Sequence, residues 1–153
     1  MEDGKSDINA KKAFKQILIR RGYEQVQITS KPSDIIAFKN KEKFYFEIKV
    51  ANEMKKGGGF GAATLTEWRQ ALETPNNYYF VIAWHQGDNE NYEFREYSPK
   101  EFLTCSTVPP AKIYFKINRN GIPKVKRQKA IEATEDIIKK LIQTDDDLRQ
   151  GSF

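Results

Sequence analysis

Asp34, Glu47 and Lys49 are the residues whose types and spacing suit chemistry best. The stretch from Pro32 to Val50 reads as two β-strands joined by a polar turn over Lys39–Lys43, because apolar, β-branched and aromatic residues flank a turn-forming cluster. Side chains alternate along a strand, so Glu47 and Lys49 share one face while Phe46, Ile48 and Val50 share the other. Asp34 opens the neighbouring strand, where antiparallel pairing brings it towards both. Two carboxylates and a lysine at one sheet end suit a divalent cation, with an amine able to hold or deprotonate a water. The bland alternative is a strand face carrying Glu47 and Lys49 as an ion pair with Asp34 or Lys43.

Other chemistries are excluded by what the chain lacks. His85 is the single histidine, so two-histidine zinc sites and two-histidine nuclease chemistries cannot be built from this chain alone. A Ser-His-Asp triad would need His85, and no nucleophile-elbow glycine pattern lies near it. Cys105 is the single cysteine, which excludes an internal disulfide and a multi-cysteine metal cluster. With no bilayer-length apolar run and no charged-then-apolar leader, the expectation is a cytoplasmic, intracellular protein without a membrane partner.

The net charge of +5 is unevenly spread. Residues 1–60 carry 13 Lys/Arg against 8 Asp/Glu, and residues 111–129 carry seven Lys/Arg and no acid. Residues 61–110 and 130–153 are net negative. Such segregation suits a polyanion-facing surface, although lysines also serve simply as a solvated shell. Lys55 and Lys56 lie in a glycine-rich loop that lacks a P-loop's Gly-Lys-Ser/Thr ending. Phe60, in the same loop, is the aromatic best suited to touch a nucleic acid or a partner. Lys112, Lys116, Arg119, Lys124, Lys126 and Arg127 form a second basic run whose phosphate contacts would be salt-sensitive.

The elements that must position these residues follow from periodicity and caps. Residues 1–6 read as a frayed leader. Asp7 to Arg21 reads as an amphipathic helix with Ala10, Ala13, Phe14, Ile17 and Leu18 at three- and four-residue spacing, capped by Ser6 or Asp7 and stopped at Gly22. Tyr23 to Thr29 alternates as a strand, with Tyr23, Val26 and Ile28 inward. Thr64-Leu65-Thr66-Glu67 has capping-box form and opens a helix to Glu73 that turns Trp68, Ala71 and Leu72 towards the sheet. Tyr78 to Trp84 is apolar throughout, the mark of a strand buried on both faces. Tyr92 to Tyr97 reads as a strand, and Ser98-Pro99 starts a short helix through Leu103.

Lys112 to Ile117 alternates as a further strand, with a hairpin turn over residues 118–121. Gln128 to Gln143 is a terminal amphipathic helix with Ile131, Ile138, Leu141 and Ile142 inward. At 153 residues the chain fits one domain. Its core is expected over 7–84, with an elaboration over 85–144 and a mobile tail over 145–153.

Helix, three-stranded meander carrying Asp and then Glu-x-Lys, helix, strand: this order resembles the PD-(D/E)xK nuclease superfamily. The matching residues are Pro32-Ser33-Asp34 and Glu47-Ile48-Lys49, with Thr66-Glu67-Trp68 opening the second helix. The resemblance covers about Asp7 to Trp84 and implies a mixed α/β, restriction-endonuclease-like αβββαβ core. It implies metal-dependent phosphodiester hydrolysis, in DNA ahead of RNA, in a restriction, defence or repair setting. Asp34, Glu47 and the Ile48 carbonyl would ligate Mg²⁺ or Mn²⁺, and Lys49 would serve the attacking water. On the second helix, Gln70 is a candidate to orient that water and Arg69 a candidate backbone contact.

Many members place an acid on the first helix, where this chain has lysines and Asn9; Asp7, near the helix start, is the candidate for that ligand. Without such an acid, a nucleic-acid-binding domain that does not cleave is the main alternative, and a protein-interaction or inhibitory module is a third. Homodimerisation, or a place in a larger complex, fits enzymes of this kind.

Overall fold

The computed structural model describes residues 2–51, 61–85, 91–108, 112–115, 117, 119 and 127–150. By their contacts the residues gather into two compact units, Met1–Ser106 and Thr107–Phe153.

The first unit is a five-stranded mixed sheet with helices against it. Helix α1 spans Glu2–Arg20, followed by β1 (Glu24–Ile28), β2 (Ile35–Lys39) and β3 (Glu42–Ala51). Helix α2 (Leu65–Glu73) leads to β4 (Tyr78–His85), β5 (Tyr92–Tyr97) and α3 (Pro99–Thr104). Spatial order follows sequence order, β1-β2-β3-β4-β5. The β1–β2, β2–β3 and β4–β5 pairs are antiparallel, while β3 and β4 are parallel. A parallel pair needs a crossover connection, and α2 lies within it. The mixed α/β fold expected from the order of elements is therefore the one present.

Both faces of the sheet are covered. On one, Ala10, Phe14 and Leu18 of α1 pack with Val26, Ile35, Ala37, Phe46, Ile48, Val81 and Ala83. Phe14 meets Phe46 edge-on with ring centroids 5.6 Å apart, and Phe94 at 5.1 Å. On the other, Ala71 joins Tyr78 and Phe80, flanked by Tyr45, Trp68 and Phe102. Strand β4 supplies Tyr78 and Phe80 to one cluster and Val81 and Ala83 to the other. Its unbroken apolar sequence is thus the mark of burial on both sides.

The central hairpin turns on two residues. Lys39 pairs with Glu42, and the intervening Asn40 and Lys41 have φ of 53° and 65°. Positive φ at both central positions is the type I′ geometry, whose twist matches the flanking strands.

Several expectations are corrected. Helix α1 begins at Glu2, so the first residues are not a frayed leader and Asp7 lies inside the helix rather than capping it. Ile28 is exposed: Gln25 has φ of 49° and the β1–β2 register shifts between Glu24 and Gln27, so simple alternation fails along β1. Leu72 is exposed as well, because the short α2 buries only Ala71 fully and packs through Trp68.

In the second unit, the described residues of the 112–117 stretch form no strand, and Ile113, Tyr114, Phe115 and Ile117 are exposed. Helix α4 spans Gln128–Gln150 and continues through residues 145–150, which were expected to be a mobile tail. Ile131, Leu141 and Ile142 are exposed and no residue of α4 is buried, so its apolar stripe is not inward. The 118–121 turn lies mostly outside the described residues. Among the described residues, no helix is long and apolar enough to cross a membrane.

Candidate active site

Asp34 stands one residue ahead of β2, and the register that pairs Ile35 with Phe46 sets it opposite Glu47. Its backbone is held on both sides. The Thr29 amide donates to the Asp34 carbonyl at 2.8 Å, and the Asp34 amide donates to Glu47 Oε2 at 3.2 Å. The neighbouring Ser33 is buried, and its hydroxyl donates to the Ile35 carbonyl at 2.9 Å. Asp34 Oδ2 in turn accepts the Ile48 amide at 2.9 Å. Each carboxylate is therefore tied to the other's strand by a main-chain donor.

Glu47 is 7% exposed, deep for an acid. Burial, and then the charges of Asp34 and Glu67, push its carboxyl up to about 8 against the pull of Lys49. Lys49 Nζ lies 3.5 Å from Glu47 Oε1 and 2.9 Å from Glu67 Oε1. The Asp34, Glu47 and Lys49 trio expected from the sequence is thus brought together.

Two further residues complete the cluster. Lys11 of α1 reaches Asp34 Oδ1 at 2.9 Å and Asp7 Oδ2 at 2.7 Å. Burial works against its charge, but hydrogen bonds to Asp7 and Asp34 outweigh it and leave the ammonium above its ordinary range. Asp7 is therefore linked to Asp34 through Lys11. Glu67 enters from the first turn of α2. Burial would raise its carboxyl, but hydrogen bonds from Lys49 and the Thr64 amide lead the effects that hold it below the usual range.

Beside these acids stands the Tyr78 hydroxyl, fully buried and without a hydrogen-bond partner among the described residues. Burial first, and then the charges of Glu47, Glu67 and Asp34, push its ionisation upward.

Among the described residues, the remaining sequence candidates contribute no side chain to the contacts among these acids and lysines. Gln70 donates to Thr74 Oγ1 at 3.2 Å and so serves the end of α2. Arg69 is exposed on the same helix. Ile48 contacts Asp34 through its amide. Lys112, Arg119 and Arg127 are exposed in the second unit. Lys55, Lys56, Phe60, Lys116, Lys124 and Lys126 lie outside the described residues.

Lys11 and Glu67 were missed as site residues for identifiable reasons. Lys11 is one of several lysines on a charged helix. Glu67 had a sufficient role in the capping box, and the signal for more was its place at the first turn of the helix that follows the Glu-x-Lys strand.

Mg²⁺ is commonly held by one or two carboxylates, with water and phosphate oxygens filling the other positions. Asp34 and Glu47 meet that minimum. Among the described residues, no group of three or more Asp, Glu, His or Cys side chains is placed to hold a metal ion. The upward shift at Glu47 comes first from burial and then from the neighbouring charges of Asp34 and Glu67, which Lys49 only partly offsets. The donor set fits an open, hydrated oxygen-ligand site rather than a closed structural one.

No curated protein and no solved structure matches the chain. Residues 6–96, more than half of its length, match the family described as Protein NO VEIN, C-terminal. That span runs from α1 to β5 and includes every residue of the acid–lysine cluster. The chain belongs to the NO VEIN C-terminal family.

Proposed function

We propose that this chain is a metal-dependent nuclease of the PD-(D/E)xK type that hydrolyses phosphodiester bonds, with DNA the expected substrate ahead of RNA. The observation that carries this reading is the reciprocal tie of Asp34, just ahead of β2, and Glu47, within β3, with the Lys49 ammonium 3.5 Å from Glu47. Asp34 and Glu47 would hold Mg²⁺ or Mn²⁺, with the Ile48 carbonyl and Asp7 as further candidates. When bound, the ion would supply Lewis-acid stabilisation of charge on the phosphoryl oxygens. Lys49 would orient an attacking water and place a positive charge near the developing oxyanion. The exposed Lys112, Arg119 and Arg127 would add salt-sensitive phosphate contacts.

A second reading is favoured by one observation. Lys11 places a cation on Asp34 from the helix where an acid was sought. A domain that binds nucleic acid without cutting it would tolerate that arrangement.

One experiment separates the readings. Plasmid, linear, single-stranded and branched DNA, together with RNA, are incubated with wild type, Lys49→Ala and Asp34→Ala in Mg²⁺, Mn²⁺ or EDTA. Metal-dependent cleavage lost in both variants is the expected result. Binding that survives EDTA, without cleavage, would replace the nuclease reading with the binding one. Neither binding nor cleavage would leave a protein-docking role.

A further inference from the structure

Glu67 uses its two carboxylate oxygens for two different tasks. Oε2 accepts the Thr64 amide at 2.9 Å, while Thr64 Oγ1 accepts the Glu67 amide at 3.2 Å; together these close the capping box that starts α2. Oε1 accepts Lys49 Nζ at 2.9 Å, and that ammonium stands 3.5 Å from Glu47 Oε1. A capping box needs only a side-chain acceptor at this position, and glutamine serves as well as glutamate. The negative charge is therefore surplus to the cap. Its partner is a lysine on a flexible four-carbon stem, which has many rotamers to lose before it can act from a defined position. Lys49 lies on β3, Glu67 on α2, and the β3–α2–β4 crossover brings them together although they are 18 residues apart.

We propose that Glu67 is a positioning residue that holds the Lys49 ammonium beside Glu47, one oxygen of its carboxylate orienting the lysine while the other caps α2. Its catalytic consequence rests on the nuclease reading; its effect on Lys49 does not. Partners that orient the ligands of a metal commonly carry about 10- to 100-fold of metal affinity or activity, and a loss of that order is expected for a partner that orients Lys49.

The test uses the full chain and three variants. Glu67→Gln retains the cap but loses the charge, Glu67→Ala loses both, and Thr64→Ala weakens the cap while leaving the carboxylate. Thermal stability and NMR signals of the lysine ammonium groups are recorded for each, beside cleavage with Mg²⁺. The expected result is a Glu67→Gln protein of near wild-type stability whose Lys49 ammonium has become mobile and whose cleavage has fallen about 10- to 100-fold. Thr64→Ala should lower stability while Lys49 stays ordered. An ordered Lys49 in Glu67→Gln, or equal release of Lys49 by Thr64→Ala, would overturn the proposal. A wild type that does not cleave would reject the nuclease reading, while the Lys49 signals would still decide the role of Glu67.

Discussion

Lys11 Nζ lies 2.9 Å from Asp34 Oδ1, so a cation from α1 rests on the carboxylate that heads β2. The same ammonium is 2.7 Å from Asp7 Oδ2 one helical turn earlier, an i,i+4 pair that steadies it. The acids of the cluster thus meet cations from two directions, Lys11 from α1 and Lys49 from within β3. A divalent ion approaching Asp34 must share it with Lys11.

Replacing Lys11 with methionine keeps the apolar stem and removes that competition. Mn²⁺ titration followed by electron paramagnetic resonance should find binding about tenfold tighter or more, equivalent to ~1.4 kcal/mol. Stability without metal should fall by about 1–3 kcal/mol, because the half-buried Asp34 loses a charged partner. Unchanged Mn²⁺ affinity would mean that Lys11 does not compete at Asp34.

Glu47 sets a pH dependence with a definite sign. Its carboxyl is pushed from the ordinary 4.5 up to about 8, so the folded chain keeps a proton that the unfolded chain releases. Stability from this group is complete below about 4.5 and is lost as pH rises through about 8. In Glu47→Gln the position is permanently neutral. Denaturant unfolding at pH 5 and pH 9 should therefore find a smaller loss in the variant than in wild type. An equal loss in both would reject a retained proton on Glu47.

Tyr78→Phe removes a buried hydroxyl that has no partner among the described residues and leaves the ring packing in place. Stability should be unchanged or higher by up to ~1 kcal/mol. A loss beyond ~1 kcal/mol would reveal a hydrogen bond to that hydroxyl, through bound water for example.

Lys41 holds φ of 65° in the β2–β3 turn, where glycine carries no steric penalty. Lys41→Gly creates the Asn-Gly pair favoured in type I′ turns and should stabilise the chain by about 0.5–1 kcal/mol. Urea denaturation would test this, and a destabilised variant would count against the turn geometry.

The elements proved legible wherever their signals are local. Thr64-x-x-Glu67 and Ser98-x-x-Glu101 both close capping boxes, and the alternation of Phe44–Val50 separates a buried apolar face from the one bearing Glu47 and Lys49. The β1 bulge was not legible, because the positive φ at Gln25 has no mark in residue type. In the 112–117 stretch, alternation matched a strand in pattern, yet a strand also needs a neighbour to pair with, and none is formed among its described residues.

Within the first unit, the sequence by itself determined the elements, their order and the trio Asp34, Glu47 and Lys49, because periodicity, caps and turns act over a few residues. Tertiary structure alone decided that Lys11 rests on Asp34 and that Glu67 holds Lys49. A long charged side chain takes whichever partner the packing of separate elements brings within about 3 Å. Here that packing sets α1 on one face of the sheet and α2 on the other, with Asp34 just ahead of β2 and Glu47 opposite it within β3.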